Sequence, residues 1–515
     1  MKSLFKTVAL ITVFSFLTRI LGFVYRIILS RVIGAEGLGL YQVASSVFMV
    51  LMTIIASGLP LIISRMTASY NASKDKKREG SLVSVALIYS LVLSILLCLI
   101  VYLFRGVFSN FLTDERCLII LLVLLPSLIF SSVYSVFRGA LWGKGNYFAL
   151  CVTEFYEQVV RIVLGVLVIS TALGAMENAL RIGWTMTIAC FLSMIYVLLL
   201  FFYYGGKLGR GRKEQFSQLV RQSTPITLMR VVGSFAQPLI AFIIPARLTS
   251  IGYTSSQAMS MFGVAVGMTM PLLFIPSTII GSLSTALVPD ISTAVAQNNQ
   301  KHIEERVSSS IFFALFISAM FVPVFIGMGE QIGLFLYDNI LSGTLLQASA
   351  WVLIPLGLTN ITSALLNSLG MEKRSFINFA IGGIAMFISL WVLPQFIGIN
   401  SLIWGMGIDY VIVALLNFIL LKKKVKADLK LLPKVLKIFI LIIPSAALTA
   451  FVVSLAEYIL PLFFVLALGG ITGVTSFVLL AAVFNLIDIK AFVIFAKKKF
   501  NFPKFKLKKR AKKNV

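Results

Sequence analysis

Ionisable side chains fall inside long apolar stretches of this 515-residue chain, foremost Arg19, Arg26, Arg230, Glu154, Glu157 and Arg161. Facing lipid, each would cost roughly 3 kcal/mol or more, so such groups turn toward water-filled interiors or toward one another and mark a pathway. Arg19 and Arg26 are seven residues apart, two helical turns, and hence share one face. A guanidinium is a planar fork of donors suited to phosphate oxygens. Arginines in a row therefore describe a cationic cavity that receives an anion; structural pairing or snorkelling to headgroups is the alternative use. Arg31 and Arg138 stand near span ends, where snorkelling fits better. Glu154, Glu157 and Arg161 share a face through spacings of three and four. Glu157 and Arg161 can pair within the helix, which leaves Glu154 as an excess acid for ion coupling or gating, or as part of a neutralised stripe. Asp409 and Glu457 are isolated acids in later spans.

Other chemistries lack their residues. His302 is the sole histidine, which excludes a His-based zinc site and any His-dependent catalytic triad. The four cysteines, Cys98, Cys117, Cys151 and Cys190, form no C-x-x-C and read as small buried hydrophobes. No G-x-x-x-x-G-K-[ST] occurs, so a nucleotide-driven pump would need another subunit. No cofactor, metal or catalytic residue is implied.

The elements that must hold these residues are membrane helices. Apolar residues make up 59% of the chain and charged residues 12%, about half the usual soluble share, and about 20 apolar residues cross a bilayer. The first apolar run, 6–33, is too long for a secretory signal, contains Arg19 and Arg26 and lacks an A-x-A pattern, so it reads as an uncleaved helix. Further runs lie near 38–64, 81–105, 117–142, 148–172, 180–204, 223–250, 257–287, 306–330, 342–370, 376–398, 400–421, 435–457 and 461–485. The expectation is an all-α polytopic membrane protein of fourteen transmembrane helices.

Net charge is +26, and its placement decides what it means. With both termini inside, the cytoplasmic segments hold 35 Lys and Arg and the outer loops only four, Arg105, Arg116, Arg181 and Arg247. Positive residues concentrate on the cytoplasmic side, so a multi-pass protein of the bacterial cell membrane with cytoplasmic termini is expected. The basic tail is explained by attraction to anionic membrane lipid, and nucleic acid is not expected as a partner.

The pattern also repeats. Thr18-Arg19-Ile20-Leu21-Gly22 in the first span matches Met229-Arg230-Val231-Val232-Gly233 in the seventh. An even number of helices per unit gives a parallel repeat: a six-helix lobe over 1–204, a basic cytoplasmic linker over 205–222, a second six-helix lobe over 223–421, an appended helix pair over 422–485 and a basic cytoplasmic tail over 486–515. Pro225, Pro238, Pro245, Pro271 and Pro276 predict bends in the seventh and eighth spans.

With these features the sequence resembles the multidrug/oligosaccharidyl-lipid/polysaccharide (MOP) exporter superfamily, and within it the stage V sporulation protein B branch and related lipid II flippases. The resemblance rests on the helix count, Thr18–Gly22, the outer turn Gly34-Ala35-Glu36-Gly37-Leu38-Gly39, the Gly139–Asn146 turn and Glu157-Gln158-x-x-Arg161. It implies a V-shaped, two-lobed transporter alternating between inward- and outward-facing states. It also implies a polyprenyl-linked anionic saccharide as cargo, the peptidoglycan precursor lipid II above all, for cell wall or spore cortex. Arg19 matches the cavity-lining arginine of the first helix. Tyr25 takes the second arginine position, next to Arg26, and the eighth span has no arginine, a departure from the pattern. The last two helices resemble the pair that forms a lipid-tail groove. A cation- or proton-coupled multidrug exporter of the same superfamily is the alternative and predicts an acidic or aromatic cavity. A monomer is expected.

The charge asymmetry predicts that a cysteine replacing Ser217 resists an impermeant thiol reagent applied to intact cells and that one replacing Ser255 is labelled; the reverse pattern would overturn the layout.

Overall fold

The computed structural model describes residues 2–297, 299–425 and 432–486. The basic tail expected over 486–515, with its lipid contacts, lies outside them save for Leu486, as do residues 426–431 of the basic segment before the last helix pair. Among the described residues the structure is helical and contains no strand. In chain order the helices are α1 (Lys2–Ala56), α2 (Leu59–Ala72), α3 (Lys76–Leu103), α4 (Arg105–Phe111), α5 (Glu115–Gly143), α6 (Tyr147–Val168) and α7 (Ala175–Tyr203). Then come α8 (Lys213–Ser234), α9 (Ala236–Ser250), α10 (Ser255–Phe262), a π-helical stretch (Gly263–Thr269), α11 (Met270–Leu273), α12 (Ile275–Ala296) and α13 (Gln300–Tyr337). The chain ends with α14 (Ile340–Ser349), α15 (Leu353–Ser368), α16 (Glu372–Val392), α17 (Pro394–Ile397), α18 (Asn400–Val425), α19 (Leu432–Glu457) and α20 (Leu462–Val483).

Twelve helices among the described residues are long and apolar enough to cross a membrane, against the fourteen expected. Two features account for the difference. The helical run Leu10–Ala72 has 63 residues and would measure about 95 Å if straight, three times a hydrocarbon core. It turns at Gly34, whose φ of 70° suits glycine, so the expected first two spans run together. Tyr25 and Arg26 before the turn and Tyr41 and Gln42 after it line one cavity, as a reversal requires. Helix α6, with Glu154, Glu157 and Arg161, carries too much charge to count as apolar. Apolar side chains crowd the outside: Ile88, Val92 and Leu99 of α3, Ile384 and Ile388 of α16, and Ile440 and Ile443 of α19 are exposed. Such surface suits lipid and not water. Polar groups turn inward, as where Asn417 of α18 bonds Asn378 of α16 and Thr362 and Ser363 of α15.

Helices α1 to α7 pack as one bundle, and α9 to α18 as another, with α19 and α20 against α13. The basic stretch 205–222 is not a free tether. Gly209 donates its backbone N–H to Ser84, and Gln215 bonds Ser81 and the Arg78 carbonyl (2.8 Å), which seats the start of α8 on α3. Gly58 lies against Ser223 and Thr227 further along α8. The seventh apolar run then breaks at Phe235, three residues before Pro238, and α9 joins the second bundle. The eighth run bends through its π-helical stretch before Pro271 and breaks again at Phe274 before Pro276, in line with the proline pattern.

The bundles meet at the Gly34 end. A Cβ on Gly39 would lie 2.0 Å from the Met259 carbonyl oxygen, and one on Gly263 2.0 Å from that of Ala35. Around this crossing Ser255 donates to Asp114 at 2.6 Å, and Arg116 binds both Asp114 (2.8 Å) and Glu36 (2.7 Å). Burial opposes the charge on Asp114, but the bonds from Arg116 and Ser255 outweigh it and hold the carboxyl below its ordinary value. Toward the other end each bundle packs on itself: α12 on α13 and α15, and Phe14 of α1 edge-on to Phe148 and Phe155 of α6.

Replacing Gly39 with valine is expected to wedge this end apart. In purified protein, a cysteine replacing Gln42 should then react several-fold faster with a thiol reagent than in the Gly39 parent; an unchanged rate would mean the crossing does not hold the bundles shut.

Candidate functional site

The seam between the bundles holds a cavity of ≈ 960 Å³, counting its open mouth. Gly22, Tyr25, Arg26, Tyr41 and Gln42 of α1 line it with Gln158 and Arg161 of α6 and Pro271 of α11. Phe23, Leu29 and Leu38 complete the wall, so that polar, aromatic and aliphatic side chains share it. Its bare glycine wall is tight: a Cβ on Gly22 would meet the Gln158 amide at 3.4 Å.

Of the residues marked in sequence, the structure brings Arg26 and Arg161 together here. Arg26 has no hydrogen-bond or ion-pair partner among the described residues. Arg161 pairs with Glu157 one turn earlier, and its Nε is buried without a partner. Arg19 lies two turns from Arg26 on the same face, exposed, and likewise has no partner among the described residues. Arg230 is elsewhere: it donates to the Ser57 carbonyl at 2.7 Å, capping the break between α1 and α2.

Glu154 is not an excess acid. Arg138 binds it at 2.7 Å across α5 and α6, so both carboxylates of α6 are neutralised by arginine. The Arg138–Glu154 pair sits in the wall of a second cavity of ≈ 710 Å³ with Thr18, Trp142 and Tyr147. Arg31, expected to snorkel, instead binds the end of α13, donating to the Leu336 carbonyl at 2.9 Å and to that of Phe335. Asp409 is buried beside Gly382, with one carboxylate oxygen unpartnered. No group of three His, Cys, Asp or Glu suited to a metal occurs among the described residues.

The resemblance had put Tyr25 at a cavity-lining position, but sequence reasoning missed Tyr41 and Gln42 as cavity wall. Gln42 carried a usable signal, since it and Tyr25 are polar groups that flank a glycine turn at similar distances on either side. Arg138 and Glu154 are sixteen residues apart on different helices, and no spacing rule links them.

Residues 4–295 match the family described as polysaccharide biosynthesis protein. The chain is 27% identical over 439 residues to stage V sporulation protein B of Bacillus subtilis (strain 168), covering 83% of this chain and 85% of that protein. It is 21% identical over 509 residues to the lipid II flippase MurJ of the same organism, covering 92% of each. Among solved structures it superposes on a lipid II flippase MurJ in an inward closed conformation with TM-score 0.70 and 15% identity, over 92% of this chain and 98% of that one. An inward-facing multidrug resistance MATE family transporter of the MOP superfamily gives TM-score 0.67 and 17% identity, over 80% and 95%. The MurJ and MATE relatives are a flippase and a transporter, not catalytic enzymes, and with the apolar helices the likenesses make this a multi-pass bacterial membrane protein near the sporulation protein B and MurJ branch, with a fold shared by a MOP superfamily transporter. Matched over more than half its length, the chain belongs to the polysaccharide biosynthesis protein family.

Proposed function

We propose that the chain is a flippase that moves a lipid-linked pyrophosphoryl saccharide, most simply lipid II, from the inner to the outer leaflet by alternating access. One observation carries this reading: Arg26 lines the inter-bundle cavity, Arg19 precedes it by two turns on the same face of α1, and no carboxylate among the described residues neutralises either of them. A diphosphate brings about two negative charges and oxygens that guanidinium forks bind in pairs. The sugar needs the hydrated polar wall, and the polyprenyl tail can stay in lipid between the bundles. Arg161, tied to Glu157, joins as a conditional third cation, since an incoming anion competes with Glu157 for it. A cation exporter needs free acid in its cavity, and here Glu154 and Glu157 are each held by an arginine. The positive-side asymmetry of the loops orients the cycle, with the end away from Gly34 facing the cytoplasm.

The test is flipping of lipid II by reconstituted protein, set against other polyprenyl diphosphate sugars. Arg26→Ala and Arg19→Ala are expected to lower flipping at least tenfold with membrane insertion intact, because removing a charge from a span eases insertion. Lysine at either place should restore only part, being a point charge without the fork. Full activity in both alanine variants would reassign these residues to structure.

The lack of a nucleotide site points to the membrane potential as the driving force. It acts on each charge with ~2.3 kcal/mol per 100 mV, so a bare diphosphate moving outward gains about 4–5 kcal/mol at 100 mV. Flipping in vesicles is expected to follow a potassium–valinomycin potential. Flux that ignores the potential, follows a pH gradient and vanishes in Glu154→Gln would favour proton coupling instead.

A further inference from the structure

The end of α13, in the second bundle, is tied to α1 five residues beyond Arg26. Tyr337, the last residue of α13, is 2% exposed, and its hydroxyl is buried with no hydrogen-bond partner. It is an electrostatic neighbour of the Arg26 guanidinium. Tyr25, 7% exposed, lines the cavity itself, and its hydroxyl is also buried and unpartnered. A buried polar group left unpaired is destabilising and calls for a reason. The Tyr25 hydroxyl packs against Gly165 of α6, so Tyr337 is the buried, unpartnered phenol set beside the unpaired Arg26, and its O–H is a donor open to an anionic oxygen.

Arg31 explains how Tyr337 is held there. The last carbonyls of a helix have no partner within it and carry partial negative charge. Arg31 caps two of them, those of Phe335 and Leu336, directly before Tyr337. Arg31 follows Arg26 by five residues on α1. One helix of the first bundle thus supplies both the anion-seeking cation and the clamp that fixes the second bundle's phenol beside it.

We propose that the diphosphate of the cargo is bound from both bundles: Tyr337 donates its hydroxyl to the oxygens held by Arg26, and Arg31 is the positioning residue that keeps Tyr337 in place while the Gly34 end is shut. Separation of the bundles at that end breaks the Arg31 cap and withdraws α13. The anion then loses a donor in the same motion that exposes it, so binding loosens at the release step. This rests on the reading of the cavity as a diphosphate site.

The test is titration of the full-length protein in nanodiscs with a polyprenyl diphosphate that carries no sugar. Tyr337→Phe, which keeps the ring and removes only the hydroxyl, is expected to weaken binding roughly tenfold, the scale of one hydrogen bond to a charged group. Arg31→Ala should cause a similar loss, the double variant no more than either single one, and Arg31→Lys, which can still cap carbonyls, should keep most of the affinity. Wild-type affinity in Tyr337→Phe alongside lost binding in Arg26→Gln would overturn the two-bundle site and leave the diphosphate reading standing. Additive losses in the double variant would overturn the role of Arg31. Undiminished binding in Arg26→Gln would overturn the diphosphate reading and this proposal with it.

Discussion

The contact on which the site depends is backbone against backbone. At the crossing of α1 with the start of the π-helical stretch, neither Gly39 nor Gly263 has room for a side chain, because the carbonyls of Met259 and Ala35 occupy that space. Gly267 beside Leu38 extends the same contact. Only with these backbones so close can Ser255 reach Asp114 and Arg31 reach the end of α13. The π-helical stretch falls where the register of the eighth run must fit against α1, a common place for such widened turns. Within a bilayer, burial of apolar surface does not drive helices together, since lipid is as apolar as leucine; close packing of small residues does. A contact of that kind is stable when shut and exposes no large sticky face when opened, which suits a seam that must part.

The charges obey a different constraint. Each acid of α6 is answered by an arginine, Glu154 by Arg138 and Glu157 by Arg161, while the arginines of α1 are answered by no acid. Charge within the spans is therefore neutral along α6 and positive along α1. Because α1 makes the crossing, lines the cavity and caps α13, motion of the bundles carries the free cations together with the neutral pairs and away from the end of α13. The site and the seam are one helix read at different depths.

Much of this was legible in the sequence, and the reason is periodicity. Arg19 and Arg26 share a face by spacing alone, Glu157 and Arg161 pair one turn apart, and Pro271 and Pro276 mark real bends. What spacing could not give is partnership across helices. Arg31 looked like a snorkelling residue because its partners are carbonyls 304 and 305 positions away. Glu154 looked unpaired because Arg138 is on another helix. The 205–222 stretch looked like a tether because its charge is basic, yet Gln215 and Gly209 dock it through neutral hydrogen bonds that composition does not reveal. Tyr337 had no distinguishing feature in sequence, since a tyrosine at a helix end is ordinary; its meaning comes from the phenol being buried without a partner.

The charge balance also bears on how a transporter of this design returns empty. On the proposed reading, two free guanidiniums meet about two negative charges, so the loaded site is close to neutral and the empty one is positive. An uncompensated charge resists moving through a low-dielectric seam, so the empty state is the one under electrostatic strain. Glu157 keeps that charge from growing without any added ion. Four residues from Arg161, this carboxylate stays on Arg161 when no cargo is present, so that Arg161 adds nothing to the charge of the α1 arginines. When a diphosphate arrives, it competes for Arg161 and frees Glu157. The pair thus acts as an internal counter-ion that tracks occupancy, and it does so because the two side chains lie one helical turn apart, a geometry fixed by α6 itself and independent of how the bundles move.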